Sequence, residues 1–228
     1  MSHSQDRTLT LFFDLDGTLT DPSTGITRCI QHALERLGRA SLPKAELVQY
    51  IGPSLRWTFL RLLGSDEEEP IEAAVRFYRE RFADVGLFEN EVYAGVPELL
   101  EHLHGDGYPL YVVTSKPTVY ADRIIRHFGF DPFFRGIYGP ELNGRFDEKH
   151  ELIGHLLGEL SLDPDQTVMI GDRARDIESG RGRGTRTMGV TYGFGSEREL
   201  VAARADRICH SPAEVRTAIH ECTSDSQA

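Results

Sequence analysis

Leu11-Phe12-Phe13-Asp14-Leu15-Asp16-Gly17-Thr18 is an apolar run that breaks abruptly into two carboxylates, a glycine and a hydroxyl. With Leu9 it makes a short, nearly continuous hydrophobic stretch, as expected of a strand in a parallel sheet covered on both faces. Strands of that kind carry ligands at their carboxyl ends. Residues two apart at a strand end point to the same side, so Asp14 and Asp16 can face one small ligand while Gly17 lets the chain turn away. Read alone, the same stretch is equally a plain Asp-Gly turn. The segments that follow decide between the two.

Leu110-Tyr111-Val112-Val113 is a second buried strand, ending in Thr114-Ser115-Lys116-Pro117, with Pro117 opening a helix. The hydroxyls there either cap that helix or face an anion. Lys149 stands at the start of a helix running to Leu160, where the helix dipole disfavours a cation unless an anionic ligand meets it. Lys116 is its rival for that role. Val168-Met169-Ile170 is a third apolar strand, closed by Gly171-Asp172, and Asp176 lies four residues on. A helix starting near Asp172 would put both carboxylates on one face; Arg173 and Arg175 are then surface charges. Further strands are expected at Ile137-Tyr138, around Met188-Gly189-Val190 and near Ile208, with helices opening at Pro97 and Pro212 and a loose tail over Ser224 to Ala228. This alternation predicts an α/β protein, a Rossmann-like three-layer parallel sheet formed by residues 1–20 and 91–228.

Residues 21–90 carry no strand signal. Asp21-Pro22 reads as a helix cap with proline at the first helical position, and Ile26, Ile30, Ala33, Leu34 and Leu37 recur at helical spacing up to Gly38. Further helices are expected over Pro43 to Tyr50, over Leu55 to Leu63 and after Ser65-Asp66-Glu67-Glu68. The segment is an all-helical unit inserted after the first strand. Within it, Gly52-Pro53 forms a turn, Ser54 can cap the next helix, and Arg56 puts a cation in a first turn. Arg56 is therefore a candidate for an anionic contact. The alternative is a solvated arginine with Trp57 packed in the helical core.

The order Asp14-Leu15-Asp16, Thr114, Lys149, Asp172 and Asp176 resembles the haloacid dehalogenase-like superfamily of phosphotransferases, from Leu9 to about Val190. Gly193-Phe194-Gly195-Ser196 extends the likeness toward its phosphoglycolate phosphatase and 5'-nucleotidase-like subgroup. The resemblance implies that Asp14 is a nucleophile, Asp16 the general acid and base, Thr114 and Ser115 phosphate ligands, and Lys149 a phosphate-binding cation. It implies a helical cap at 21–90 with the loop that carries Arg56 toward the active site, where Arg56 is the candidate for substrate specificity. Lys149-His150 departs from the Lys-Pro frequent in the family. Four carboxylates gathered in a small space repel unless a cation sits among them, and hard oxygen donors favour Mg2+. By resemblance its ligands are Asp14, the backbone carbonyl of Asp16, and Asp172, with Asp176 acting through water or by orienting Lys149. The expected activity is Mg2+-dependent hydrolysis of a small phosphomonoester through an aspartyl-phosphate. A mutase or pyrophosphatase fits the same residues; a receiver domain or a metal-free dehalogenase would have no use for Asp16.

Composition narrows the partners. At 228 residues with 39% hydrophobic content the chain can bury a core as one large domain or two smaller ones. A formal net charge of -11 opposes a nucleic-acid polymer or an anionic membrane surface as the main partner. The partner that the resemblance implies is a small phosphorylated metabolite, with a monomer or homodimer expected. Three cysteines far apart offer neither metal spacing nor a disulfide framework. With a polar start over Met1 to Arg7 and no bilayer-length apolar stretch, a cytoplasmic enzyme is expected.

Overall fold

In the computed structural model, residues 9–225 are described, and they divide into two compact units, 9–20 with 92–225 and 21–91. The polar start over Met1 to Arg7 lies outside the described residues. The chain opens with β1 (Thr10–Phe13) and β2 (Thr20–Asp21), then the helices α1 (Ser23–Arg36), α2 (Lys44–Leu47), α3 (Leu55–Leu63) and α4 (Glu68–Asp84). It continues through β3 (Glu91–Val92), α5 (Val96–Gly105), β4 (Leu110–Val113), α6 (Thr118–His127), β5 (Gly136–Tyr138) and α7 (Lys149–Glu159). The remaining elements are β6 (Thr167–Gly171), α8 (Ala174–Arg181), β7 (Arg186–Val190), α9 (Glu197–Ala202), β8 (Arg207–Cys209) and α10 (Pro212–Asp225).

The larger unit is a Rossmann-like α/β fold whose parallel sheet has the order β5-β4-β1-β6-β7-β8. Every residue of β1, β4 and β6 is buried, which explains why these strands read as unbroken apolar runs: both faces are covered. One face packs Phe12, Tyr111, Val113 and Met169 against Leu152, Ile153, Leu156 and Leu157 of α7, with Phe12 and Tyr111 edge-to-face at 5.8 Å. Burying each of these larger side chains contributes about 1.5–3 kcal/mol. Register does the rest. Phe13 pairs with Val112 on one side and Ile170 on the other, so the residues leaving the three central strands, Asp14, Thr114 and Asp172, emerge at nearly one level.

The unit 21–91 is helical, and α1 packs along α4, with Ile30 and Ala33 of the one and Ala74 and Tyr78 of the other buried and Phe59 of α3 edge-to-face on Tyr78 at 6.4 Å. Its first helix begins one residue later than expected: Pro22 precedes α1, and Asp21 Oδ1 accepts the Ser23 N–H at 2.8 Å. β2 and β3, at the two points where the chain passes between units, form a separate two-stranded sheet. Strands of two residues leave no periodic signal. Two other expectations need correction. The helix after β6 starts at Ala174 rather than near Asp172, because Asp176 Oδ2 accepts the Arg173 N–H at 3.0 Å and caps the helix there. Ser224 and Asp225 are the last residues of α10 rather than a loose tail; 226–228 lie outside the described residues.

Candidate active site

Asp14 leaves β1 buried, its amide held by Ile170 O at 2.9 Å. Asp172 leaves β6 fully buried, and Asp176 is fixed as the third residue of α8. One carboxylate oxygen from each of the three lies within 4.8 Å of the others. Lys149, at the first position of α7, enters this cluster: its Nζ is 3.0 Å from Asp14 Oδ1 and ion-paired with Asp176. That resolves the oddity of a lysine at a helix start, since its side chain is 1% exposed and its partners are carboxylates rather than water. Burial alone would lower the Lys149 pKa, but the charges of Asp14 and Asp176 outweigh it and hold the ammonium above its ordinary value.

Asp16 has a different cation. Its Oδ2 lies 2.8 Å from Lys116 Nζ, and burial raises its pKa against the lowering effect of that lysine. Sequence reasoning set Lys116 against Lys149 for a single role; the structure uses both, one for each catalytic carboxylate candidate. Thr114 is buried at the end of β4 and its Oγ1 accepts the Lys116 N–H at 3.2 Å, while Ser115 is half-buried beside it. Arg173 Nε donates to Glu199 at 2.9 Å and Arg175 pairs with Glu148 at 2.8 Å. Arg56, in the other unit, pairs with Glu72 and, at 3.5 Å, with Glu68 of α4. These glutamates provide the anionic partner that a cation in a first turn calls for.

The cluster is short of positive charge. Burial first, then the charges of Asp176 and Asp14, push the Asp172 carboxyl up to about 8, and burial also raises Asp176. Asp172 Oδ1 and Asp16 Oδ1 are buried without a hydrogen-bond partner among the described residues. An all-oxygen donor set with orphaned carboxylate atoms fits a hard divalent cation. Gly17 completes the enclosure: its φ is +86° and a Cβ would overlap Asp172 Oδ2, so only glycine suits that position.

The chain matches the family described as haloacid dehalogenase-like hydrolase over residues 11–190. It is 50% identical over 206 residues to a 5'-nucleotidase of Pseudomonas aeruginosa, covering 90% of this chain and 93% of that one. A phosphoglycolate phosphatase of Psychrobacter arcticus is 28% identical over 193 residues, 81% of this chain and 84% of the other. A crystal structure of a predicted phosphatase from Clostridium acetobutylicum superimposes with a TM-score of 0.87 at 36% identity, over 94% of this chain and 99% of that one.

Proposed function

Because the chain belongs to the haloacid dehalogenase-like hydrolase family and is a phosphatase, we propose that it is a Mg2+-dependent hydrolase of small phosphomonoesters, with nucleoside 5'-monophosphates as the favoured class. The observation that carries this reading is the buried set Asp14, Asp172, Asp176 and Lys149, in which the lysine pairs with Asp14 and Asp176 and Asp172 is left without it. The similarity to a 5'-nucleotidase along nearly the whole chain favours the nucleotide class over phosphoglycolate.

Asp14 is the nucleophile: it attacks phosphorus in line, forming an aspartyl-phosphate as the ester oxygen departs. Asp16 in its protonated form gives that oxygen its proton, then takes one from the water that cleaves the intermediate. Burial favours the protonated form of Asp16, and Lys116 limits how far. Lys149 and Thr114 offset the charge of the phosphoryl oxygens, without which one anion could not approach another. Asp14, Asp172 and the backbone carbonyl of Asp16 would hold Mg2+, with Asp176 orienting Lys149. When bound, the ion supplies further charge neutralisation of the transferring group. Phosphate release from a panel of metabolites tests the reading: activity on small monoesters should vanish with EDTA and return with MgCl2. Turnover that survives chelation would overturn it.

The helical unit acts as a cap that selects the leaving group, with Arg56 as the reader of a negative tail on those monoesters that carry one, such as phosphoglycolate. Its exposed ion pairs with Glu68 and Glu72 are of small net worth, so an anionic substrate can compete for it. Arg56→Ala should lower kcat/KM for phosphoglycolate about ten- to hundredfold relative to a nucleoside 5'-monophosphate, the worth of one charge-assisted hydrogen bond. Parallel losses on both substrates would remove Arg56 from this role.

A further inference from the structure

The loop Gly193-Phe194-Gly195, just before α9, meets Asp172 at three points. Phe194 donates its backbone N–H to Asp172 Oδ2 at 2.8 Å. A Cβ on Gly193 would stand 2.6 Å from Asp172 Cβ and overlap the Gly17 carbonyl oxygen. A Cβ on Gly195 would overlap the carbonyl oxygen of Asp172 itself. Neither glycine has a left-handed φ, so close approach, not backbone conformation, demands glycine at both.

The loop and Gly17 therefore both bring backbone close against Asp172. Of the two carboxylate oxygens, Oδ2 is committed to the Phe194 N–H, and Oδ1 is left buried and unpartnered. A carboxylate free to rotate could offer either oxygen or both. Here rotation would break the Phe194 N–H bond to Oδ2, the oxygen that lies close against Gly17 and Gly193.

We infer that the 193–195 loop is a positioning device for Asp172, presenting Oδ1 alone to the divalent cation, so that cation affinity depends on a backbone N–H donated from beyond β7. The inference rests on the metal-dependent reading above. Phe194 acts through its amide, and its ring is not part of the device.

Backbone amide exchange in the wild-type protein reads the bond directly. The Phe194 N–H should be protected in metal-free buffer and remain protected when MgCl2 is added; an amide exchanging like an open loop, or released by Mg2+, would overturn the inference. Substitutions then read the consequence. Phe194→Pro deletes the donor and should raise the Mg2+ dissociation constant, measured by calorimetry, about ten- to hundredfold. Phe194→Ala keeps the donor and should stay within about threefold, the tolerance here for a side chain outside the device. Should the proline variant not fold, Gly195→Ala displaces the donor and should also weaken Mg2+ binding. Donor-deleted and donor-retaining variants that bind Mg2+ equally would refute the positioning role alone. A wild-type protein that binds no Mg2+ would refute the cation reading and this inference together.

Discussion

Asp14→Asn should reduce steady-state hydrolysis of p-nitrophenyl phosphate on the order of 10^4-fold or more, because it removes the atom that attacks phosphorus and leaves the rest of the cluster in place. The fold should survive. An asparagine is nearly the same size, and it lowers the negative charge around Lys149 rather than adding to it. The informative comparison is between turnover and melting temperature: activity at background with melting preserved identifies a chemical role. Hydrolysis within tenfold of the wild type would sink the nucleophile assignment.

Lys149→Met acts on stability as well as on chemistry. The side chain it removes is 1% exposed and pairs with Asp14 and Asp176, which lie in one cluster with Asp172. Without it, buried carboxylates lose the cation that offsets them, and breaking such a pair from one side costs about 3–5 kcal/mol. In a chain of this size that lowers the melting temperature by roughly 10 °C in metal-free buffer. Added MgCl2 should recover part of the loss, since an ion among the same carboxylates offsets the same charge. Thermal unfolding with and without MgCl2 measures both effects. A variant melting within about 2 °C of the wild type in EDTA would show that Lys149 does not carry the charge balance of the cluster.

The strands that build the site were legible because burial on both faces writes an uninterrupted apolar run, as in Leu11-Phe12-Phe13, Leu110 to Val113 and Val168 to Ile170. The carboxylates stood out for the same reason, as abrupt breaks in those runs. What stayed illegible had no side-chain signature. Asp172 and Asp176 converge, but not as neighbours on one helix: one directly follows a strand and the other caps the following helix. The role of Phe194 lies in its amide, which every residue but proline shares. Lys116 and Lys149 could not be ranked because their partners, Asp16 and Asp14, are about a hundred or more residues away in sequence and meet them only through strand register. Arg56 was readable as a cation needing an anion, but Glu68 and Glu72 on the neighbouring helix answer to the same description as a ligand.

The small sheet of β2 and β3 has a consequence for how the chain tolerates change. Joining the ends of a long excursion ordinarily costs chain entropy that grows with the logarithm of its length. Here the two ends of the segment 21–91 are hydrogen-bonded to each other, so for the parallel sheet the excursion begins and closes in one place. Its contents could lengthen, shorten or be exchanged without changing the distance β1 and β4 must span to pair. The parts that would set selectivity are thus free to drift, while the strands that carry the carboxylates keep their register.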